Sequence, residues 1–196
     1  MHPSFRHSRT IPCLLACSLV AMVIGAAEAR AQVGTTSYTI GANAGLVVPV
    51  SDLSNFTSSG YTIAATLGMH QSLSPLAFRV EGSFTELPWS DNTGNSGAKH
   101  RVYGFSVDGL YNLGQASTNG GLYATGGIGY FGSKDSNLQT FVGPEDTQTS
   151  WDFGINAGLG YYLPLSGFTV YFEGRYRYIF SNPGQAMFPI TVGVSF

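Results

Sequence analysis

The last ten residues, MFPITVGVSF at 187–196, alternate between large apolar side chains and small or polar ones. One face of this segment carries only bulky apolar residues, which are Phe188, Ile190, Val192, Val194 and Phe196. The opposite face carries Pro189, Thr191, Gly193 and Ser195. A period of two is the geometry of a β-strand, in which successive side chains point to opposite faces. The C-terminal segment is therefore predicted to be a strand with one apolar face.

Seven earlier segments repeat this alternation and are separated by turn-forming residues. They lie at 38–50, 61–70, 77–87, 99–113, 121–132, 151–163 and 168–180. A strand of about 9–11 residues is long enough to cross a bilayer at a tilt. The eight segments therefore have the length and pattern of transmembrane β-strands.

The positions of the charged residues distinguish a membrane barrel from a soluble one. A soluble barrel or sandwich also alternates, but it keeps its charges outside. In 168–180 an apolar face opposes Glu173, Arg175 and Arg177, and in 77–87 Phe78 and Phe84 oppose the face that carries Arg79. An apolar exterior around a polar interior is the arrangement that lipid requires, and a sheet in hydrocarbon must close on itself. The sequence thus predicts an all-β, eight-stranded antiparallel up-and-down transmembrane β-barrel.

The composition excludes several other classes of protein. Charged residues are 10% of the chain, against roughly 25% in typical soluble domains. Beyond residue 31 there are 6 Lys and Arg against 10 Asp and Glu, which argues against nucleic acid as a partner. No stretch beyond the N-terminal segment is apolar enough for a transmembrane helix. A wide porin needs about 16–18 strands, too many for this length.

The N-terminal segment 1–31 has the features of a cleaved signal peptide, and 32–196 is the predicted barrel domain. Arg6 and Arg9 precede an apolar run, and Ala29-Arg30-Ala31 supplies a small-x-small cleavage pattern, with a cut after Ala29 as the alternative. Both cysteines lie in this segment, and lipidation at Cys17 is a second alternative. Odd-numbered connections between strands are mostly the longer ones, which places them outside the cell if the chain enters from the periplasm.

Seven charged residues of nearly balanced sign fall on the predicted lumen face. They are Arg79, Glu81, Asp108, Asp152, Glu173, Arg175 and Arg177. An eight-stranded barrel has a lumen just wide enough for side chains to fill. We therefore expect a compensated Arg–carboxylate network that plugs the lumen, with an ion or proton path as the alternative.

Aromatic and charged residues near the strand ends suggest interfacial positions. An aromatic girdle is predicted from Tyr38, Tyr61, Trp89, Tyr103 and Trp151. Lys99 and Arg101 are candidates for binding the phosphates of lipopolysaccharide. Arg101 can equally pair with Glu86 across the hairpin. Asp135, Glu145 and Asp146 are expected in the third outer loop, where solvated acids are more plausible than a calcium site. We predict no cofactor, no metal and no catalytic residue.

The chain resembles the small outer-membrane β-barrel proteins of Gram-negative bacteria, the OmpA/OmpX-like group. The carriers of the resemblance are the strand 38–50 with its exit at 49–52, FRVEG at 78–82, LYNLG at 110–114, YATGGIGY at 123–130 and the terminal Phe196. In that group the barrel-assembly machinery recognises a C-terminal aromatic residue at the end of a strand whose apolar residues occur at every second position. The resemblance implies this role for Phe196, with Val194, Val192 and Ile190 as its partners, and a location in the outer membrane.

The activity is less well determined, because the group includes structural, adhesive, immune-evasion and a few enzymatic members. His70 and Ser72, with Glu81 and Glu86 nearby in sequence, loosely resemble a lipid A deacylase arrangement, but they are expected at the wrong end of the barrel. We expect a structural or surface-interaction protein whose loops meet an unknown partner. A narrow channel for small solutes or ions is the alternative, and a lipid-modifying enzyme is a distant third.

Overall fold

The computed structural model describes residues 36–71, 74–90, 97–114, 120–140, 143–145 and 147–196. The expected signal peptide at 1–31 and Asp146 lie outside these residues. Within them, eight long strands are the main elements. They are β1 (Thr36–Val50), β2 (Gly60–Gln71), β3 (Leu76–Pro88), β4 (Lys99–Asn112), β5 (Gly121–Ser136), β8 (Ser150–Leu165), β9 (Phe168–Ile179) and β10 (Gln185–Ser195). The short strands β6 (Leu138–Thr140) and β7 (Gly143–Glu145) and a 3-10 helix at Ser51–Asn55 complete the set.

The eight long strands form one closed antiparallel barrel. Each strand pairs with its neighbour along the chain, and β1 closes the barrel by pairing with β10 from Gly41↔Ser195 to Val50↔Ala186. The last residue extends this seam, because Phe196 N–H donates to Ile40 O at 2.9 Å and Ile40 N–H donates to Phe196 O at 3.1 Å. The predicted fold class, a closed up-and-down barrel of eight strands, is confirmed.

The two ends of the barrel differ in their connections. We call the end where β1 leads into β2, β3 into β4, β5 into β8 and β9 into β10 the loop end, and the opposite end the turn end. At the loop end, β6 and β7 form a separate two-stranded hairpin. The sequence pattern did not predict this hairpin, because it is only three residues long on each side. Among the described residues no helix is long and apolar enough to cross a membrane.

Side chains alternate between exterior and lumen as the period of two predicts. The exterior is covered by exposed apolar residues such as Ile40, Leu46, Ile128, Phe153 and Phe172. The lumen holds the buried residues, among them Glu81, Asp108, Arg175 and Arg177. This arrangement is the reverse of a soluble globule, whose large apolar side chains are mostly inside.

Candidate functional site

Six buried charged side chains from opposite sides of the barrel wall meet in the lumen, and we call them the ion cluster. They are Arg79 and Glu81 on β3, Asp108 on β4, and Glu173, Arg175 and Arg177 on β9. Three are positive and three are negative. Their lumen positions follow directly from the strand alternation, since they are spaced by two along β3 and along β9.

Arg175 lies at the centre of the ion cluster and contacts all three carboxylates. Its Nη2 donates to both carboxylate oxygens of Glu81, at 2.7 and 2.8 Å. Its Nε lies 2.9 Å from Glu173 Oε1, and its Nη1 lies 3.5 Å from Asp108 Oδ2. One guanidinium thus links β9 across the lumen to β3 and β4.

The other two arginines extend the cluster toward opposite ends. Arg79 donates from Nη2 to Glu173 Oε1 at 2.9 Å, and its Nε lies 3.8 Å from Asp108 Oδ2. Arg177 donates from Nη2 to Glu81 Oε1 at 3.3 Å, and its guanidinium carbon lies 4.7 Å from the centre of the Phe131 ring. Every carboxylate in the cluster therefore contacts at least one arginine.

Neutral side chains add hydrogen bonds to the cluster on its turn-end side. Tyr123 donates its hydroxyl to Glu173 Oε2 at 2.8 Å. Asn43 donates from Nδ2 to Glu81 Oε2 at 3.4 Å and to the Tyr171 hydroxyl at 3.2 Å. Glycine makes room for these rings, because a Cβ on Gly160 would collide with Tyr123 and one on Gly193 would collide with Tyr171.

A layer of buried apolar side chains fills the lumen between the ion cluster and the loop end. Its members are Val47, Leu53, Leu87, Val102, Phe131, Ile179 and Met187. Leu53 comes from the 3-10 helix after β1, whereas the other six come from barrel strands. The sequence analysis did not predict this layer, although all six strand residues have lumen parity. On β9 the lumen-facing side chains change from charged to apolar within two residues, from Arg177 to Ile179.

Phe131 occupies a cradle of three glycines in this apolar layer. A Cβ on Gly104, Gly129 or Gly154 would come within 3 Å of its ring atoms. These glycines lie on β4, β5 and β8, so the ring is accommodated by absent side chains on three adjacent strands. The aromatic ring can therefore be fully buried in the lumen of a narrow barrel.

Replacing Gly129 with alanine is expected to lower the free energy of unfolding by about 1–3 kcal/mol, because the new methyl group forces Phe131 from its position. Gly82→Ala is the matched control, since a Cβ there meets nothing within 4 Å. Urea unfolding of the two variants in lipid vesicles measures the difference. Equal midpoints for both would show that the cradle is not tightly packed.

Asp152 is the one predicted network residue that lies outside the ion cluster. It has lumen parity, but it lies near the loop-end start of β8 and accepts a hydrogen bond from Ser150 Oγ at 3.2 Å. Phe131 pairs with it in register and occupies the lumen at this level. The prediction that Asp152 belongs to the charge network is wrong, because face parity does not specify depth.

At the loop end, His100 joins β4 to β5 and β10. Its Nδ1 lies 2.6 Å from Asp135 Oδ1, and its Nε2 lies 3.0 Å from Gln185 Oε1. Asp135 was expected in a loop, but β5 continues to Ser136 and places it in the barrel wall. Among the side chains that the structure describes, no group of three or more His, Cys, Asp or Glu could hold a metal ion.

Trp89 also lies at the loop-end opening of the barrel, which we call the mouth, and not in a lipid-facing girdle. Its Nε1 donates to Asp135 Oδ1 at 3.3 Å, and its ring lies 6.2 Å from that of Phe56. Together with Asp52 and Gln185 these residues line a concavity of about 160 Å³. The girdle prediction fails for Trp89 because β3 ends at Pro88 and the chain then bridges to Thr57, so alternation no longer determines its direction.

The other four girdle candidates have exposed rings on the barrel exterior. Tyr61, Tyr103 and Trp151 lie near the loop end, and Tyr38 lies near the turn end at the start of β1. The ring of Tyr103 lies 5.4 Å from that of Phe84, and Trp151 stacks on Tyr130 at 5.4 Å. These contacts form two groups of rings on the exterior, one across β3 and β4 and one across β5 and β8.

The residues of the predicted assembly signal lie on the exterior of β10. Ile190, Val192 and Phe196 are exposed, and Val194 is half-buried. The Phe196 ring packs at 6.0 Å from that of Phe168 on the neighbouring strand. The terminal aromatic residue is thus held at the turn end by both its backbone and its ring.

The loose His-x-Ser resemblance is not supported by the positions of its acids. His70 is exposed at the turn end, paired in register with Ala77, whereas Glu86 lies near the loop end of β3. Glu81 points into the lumen and is bonded to arginines. Ser72 lies outside the described residues. The acids are therefore not brought to His70.

Three solved structures of other proteins match this chain over most of its length. The neisserial surface protein A has a TM-score of 0.50 and 17% identity, and the match covers 82% of this chain and 97% of that one. The N-terminal barrel domain of Pseudomonas aeruginosa OprF has a TM-score of 0.48 and 15% identity, covering 83% and 100%. Ail of Yersinia pestis has a TM-score of 0.47 and 16% identity, covering 84% and 100%.

The search of curated proteins gave no match. A family model described as the outer membrane protein beta-barrel domain matches residues 17–196, which is most of the chain. Together with the closed eight-stranded barrel and its apolar exterior, this match means that the chain belongs to the outer membrane protein β-barrel family and is a protein of the outer membrane.

Proposed function

We propose that the protein is a non-conducting outer-membrane barrel that acts through its surface, with a structural or surface-interaction role. The observation that carries this proposal is the double filling of the lumen. The ion cluster occupies one part of the lumen, and the apolar layer occupies the part nearer the loop end. Signal-directed export through residues 1–31 is part of the same proposal.

The chemistry of the two layers argues against a conducting pore. The three arginines and three carboxylates of the ion cluster compensate each other at contact distance, so an ion entering the lumen would have to displace a formed pair. In the apolar layer, Leu87, Phe131 and Met187 are fully buried. A passing ion would lose its hydration there without gaining a polar partner.

The loop end is the face that we propose for interaction. Its mouth combines the rings of Phe56 and Trp89 with Asp52, Asp135 and Gln185 around one concavity. Aromatic residues of this kind are enriched where proteins bind one another. We propose binding and not catalysis for this surface, with a surface partner that the loops select.

Liposome swelling tests the proposal. Protein reconstituted into liposomes is expected to cause no swelling in an isotonic pentose, while a general porin in matched liposomes causes rapid swelling. Swelling that increases with the amount of folded protein would overturn the non-conducting role and favour the narrow channel.

We also propose that the barrel-assembly machinery recognises the end of β10. Phe196→Ser is expected to lower the amount of folded protein in the outer membrane several-fold while export continues, because the ring is lost but the backbone bonds to Ile40 can still form. Immunoblots of membrane and periplasmic fractions measure both quantities. Ser195→Ala is the control, and equal membrane levels of the two variants would contradict the proposal.

A further inference from the structure

Asp135 joins several of the connections at the loop end. Its Oδ1 accepts a hydrogen bond from Trp89 Nε1 at 3.3 Å and lies 2.6 Å from His100 Nδ1. Its backbone N–H donates to Thr147 Oγ1 at 2.8 Å, and its carbonyl accepts from the N–H of the same threonine at 2.9 Å. His100 Nε2 in turn lies 3.0 Å from Gln185 Oε1 at the start of β10. We call the side chains of Trp89, His100, Asp135 and Gln185 the mouth network.

The connection between β1 and β2 is attached to the same network through Trp89. Thr57 forms a β-bridge with Trp89, and the ring of Phe56 lies 6.2 Å from the indole ring. The N–H of Ser90 donates to Phe56 O at 2.8 Å. Leu53 of the same connection is a member of the apolar layer. All four loop-end connections therefore meet at the mouth network, directly above the apolar layer.

The two ring nitrogens of His100 both face oxygen acceptors. An ionised carboxylate can only accept, so Nδ1 is the donor toward Asp135. In a neutral imidazole Nε2 then has no proton, yet it faces Gln185 Oε1, which is a second acceptor. The same Oε1 also accepts a hydrogen bond from Ser133 Oγ at 3.2 Å. Only the imidazolium, which has a proton on each nitrogen, donates to both oxygens.

The described cations near the mouth point away from it. Lys99 and Arg101 flank His100 along β4, but both point to the exterior and donate to Glu86 there, at 2.7 and 2.9 Å. Lys134 also has exterior parity on β5. None of these three side chains lies among the described residues that line the concavity.

The charged groups that face His100 are carboxylates. Asp52 on the 3-10 helix and Asp135 on β5 line the concavity together with His100. Asp152 lies at the loop-end start of β8, and Gln185, which β10 contributes, is neutral. The His100 side chain is 7% exposed and that of Asp135 is 27% exposed, so the pair is reached from the mouth. Histidine is the side chain whose charge ordinarily changes between about pH 5 and 8.

We propose that protonation of His100 closes the mouth network and fixes the arrangement of the four loop-end connections. When Nε2 loses its proton, its approach to Gln185 Oε1 becomes unfavourable and β10 is released from the network. The proposal rests on the proposed function in one respect, because it assigns a regulation by pH to the same interaction face. It concerns the loops and not conduction.

Trp89 reports on the mouth network directly. The chain has two tryptophans, so Trp151→Phe on the barrel exterior leaves Trp89 as the remaining one beyond doubt of assignment. A charge-assisted hydrogen bond of the kind that protonation adds shifts the equilibrium between closed and open mouth by about tenfold. Acrylamide quenching of Trp89, measured on the folded Trp151→Phe protein in lipid vesicles, is therefore expected to be weaker at about pH 5 than at about pH 8.

Three further substitutions in this background assign the transition. His100→Gln is expected to make the quenching independent of pH and as strong as at the alkaline end. His70→Gln is the matched control, because it removes the other histidine beyond residue 31, at the turn end, and should keep the transition. Gln185→Glu places a charged acceptor opposite Nε2 and is expected to move the transition to higher pH. A shift in electrophoretic mobility on heating confirms that each variant is folded.

Three results would overturn the proposal. Quenching of Trp89 that does not depend on pH would show that neutral His100 accepts from a turned-over Gln185 amide. Stronger quenching in acid than in alkali would show that protonation opens the mouth. A transition that persists in His100→Gln would assign it to another group. None of these results bears on the non-conducting role, and a conducting barrel with an intact Trp89 transition would overturn that role alone.

Discussion

Replacing Glu173 with glutamine is expected to lower the free energy of unfolding by about 3–5 kcal/mol, the typical cost of removing one partner from a buried ion pair. Glu173 Oε1 lies 2.9 Å from both Arg79 Nη2 and Arg175 Nε, and its Oε2 accepts a hydrogen bond from Tyr123. Glutamine keeps the size of the side chain but leaves the cluster with one uncompensated positive charge. Urea unfolding in lipid vesicles measures the loss.

The double variant Glu173→Gln, Arg79→Gln separates charge from packing. Removing Arg79 restores neutrality, so the loss of stability in the double variant should be smaller than the sum of the losses in Glu173→Gln and Arg79→Gln, which is the non-additivity that a double-mutant cycle measures for coupled residues. Strictly additive losses would show that the two side chains are not energetically coupled. An unchanged urea midpoint for Glu173→Gln would show that Glu173 contributes nothing to the stability that we assign to the ion cluster.

Replacing Ile128 with lysine is expected to destabilise the inserted barrel by about 2–4 kcal/mol, the cost of a lysine at the bilayer midplane. Ile128 lies at the middle of β5 on the exterior, and 66% of its surface is exposed in the protein alone. In the membrane that exposed surface faces lipid. The yield of heat-modifiable protein after refolding into vesicles reports the loss.

Leu113→Lys is the matched control, because Leu113 is also exposed but lies just past the turn end of β4. A lysine near the interface costs only about 0–1 kcal/mol. Equal refolding yields for the two lysine variants would contradict a lipid-facing exterior around β5.

The strand pattern could be predicted because alternation is a local property. The inward direction of Arg79, Glu81 and Glu173 follows from the period of two along each strand, and closure of the barrel follows because an open sheet edge is not satisfied in hydrocarbon. The ends of strands were predicted less well, as the extension of β5 to Ser136 shows, because turn residues interrupt the alternation before the pairing ends. Trp89 was misassigned for the same reason, since it follows Pro88.

Depth and pairing in the lumen could not be predicted from local pattern. Arg175 and Glu81 are 94 residues apart in sequence, and only the register of the intervening strands brings them together. The apolar layer was missed because Phe131 and Ile179 occur singly among polar or glycine neighbours on their lumen faces. These residues form one layer only when the six strands that carry it are aligned in register. The cradle of Gly104, Gly129 and Gly154 requires the same information.

The central claim is that two layers close the lumen, and single-channel recording of the wild-type protein in planar bilayers tests it most directly. With folded, heat-modifiable protein inserted, the account predicts a current that stays at the baseline of the bare bilayer across the applied voltages. Reproducible conductance steps from the wild-type protein would contradict the account, because a conducting lumen is incompatible with an intact ion cluster and a buried Phe131.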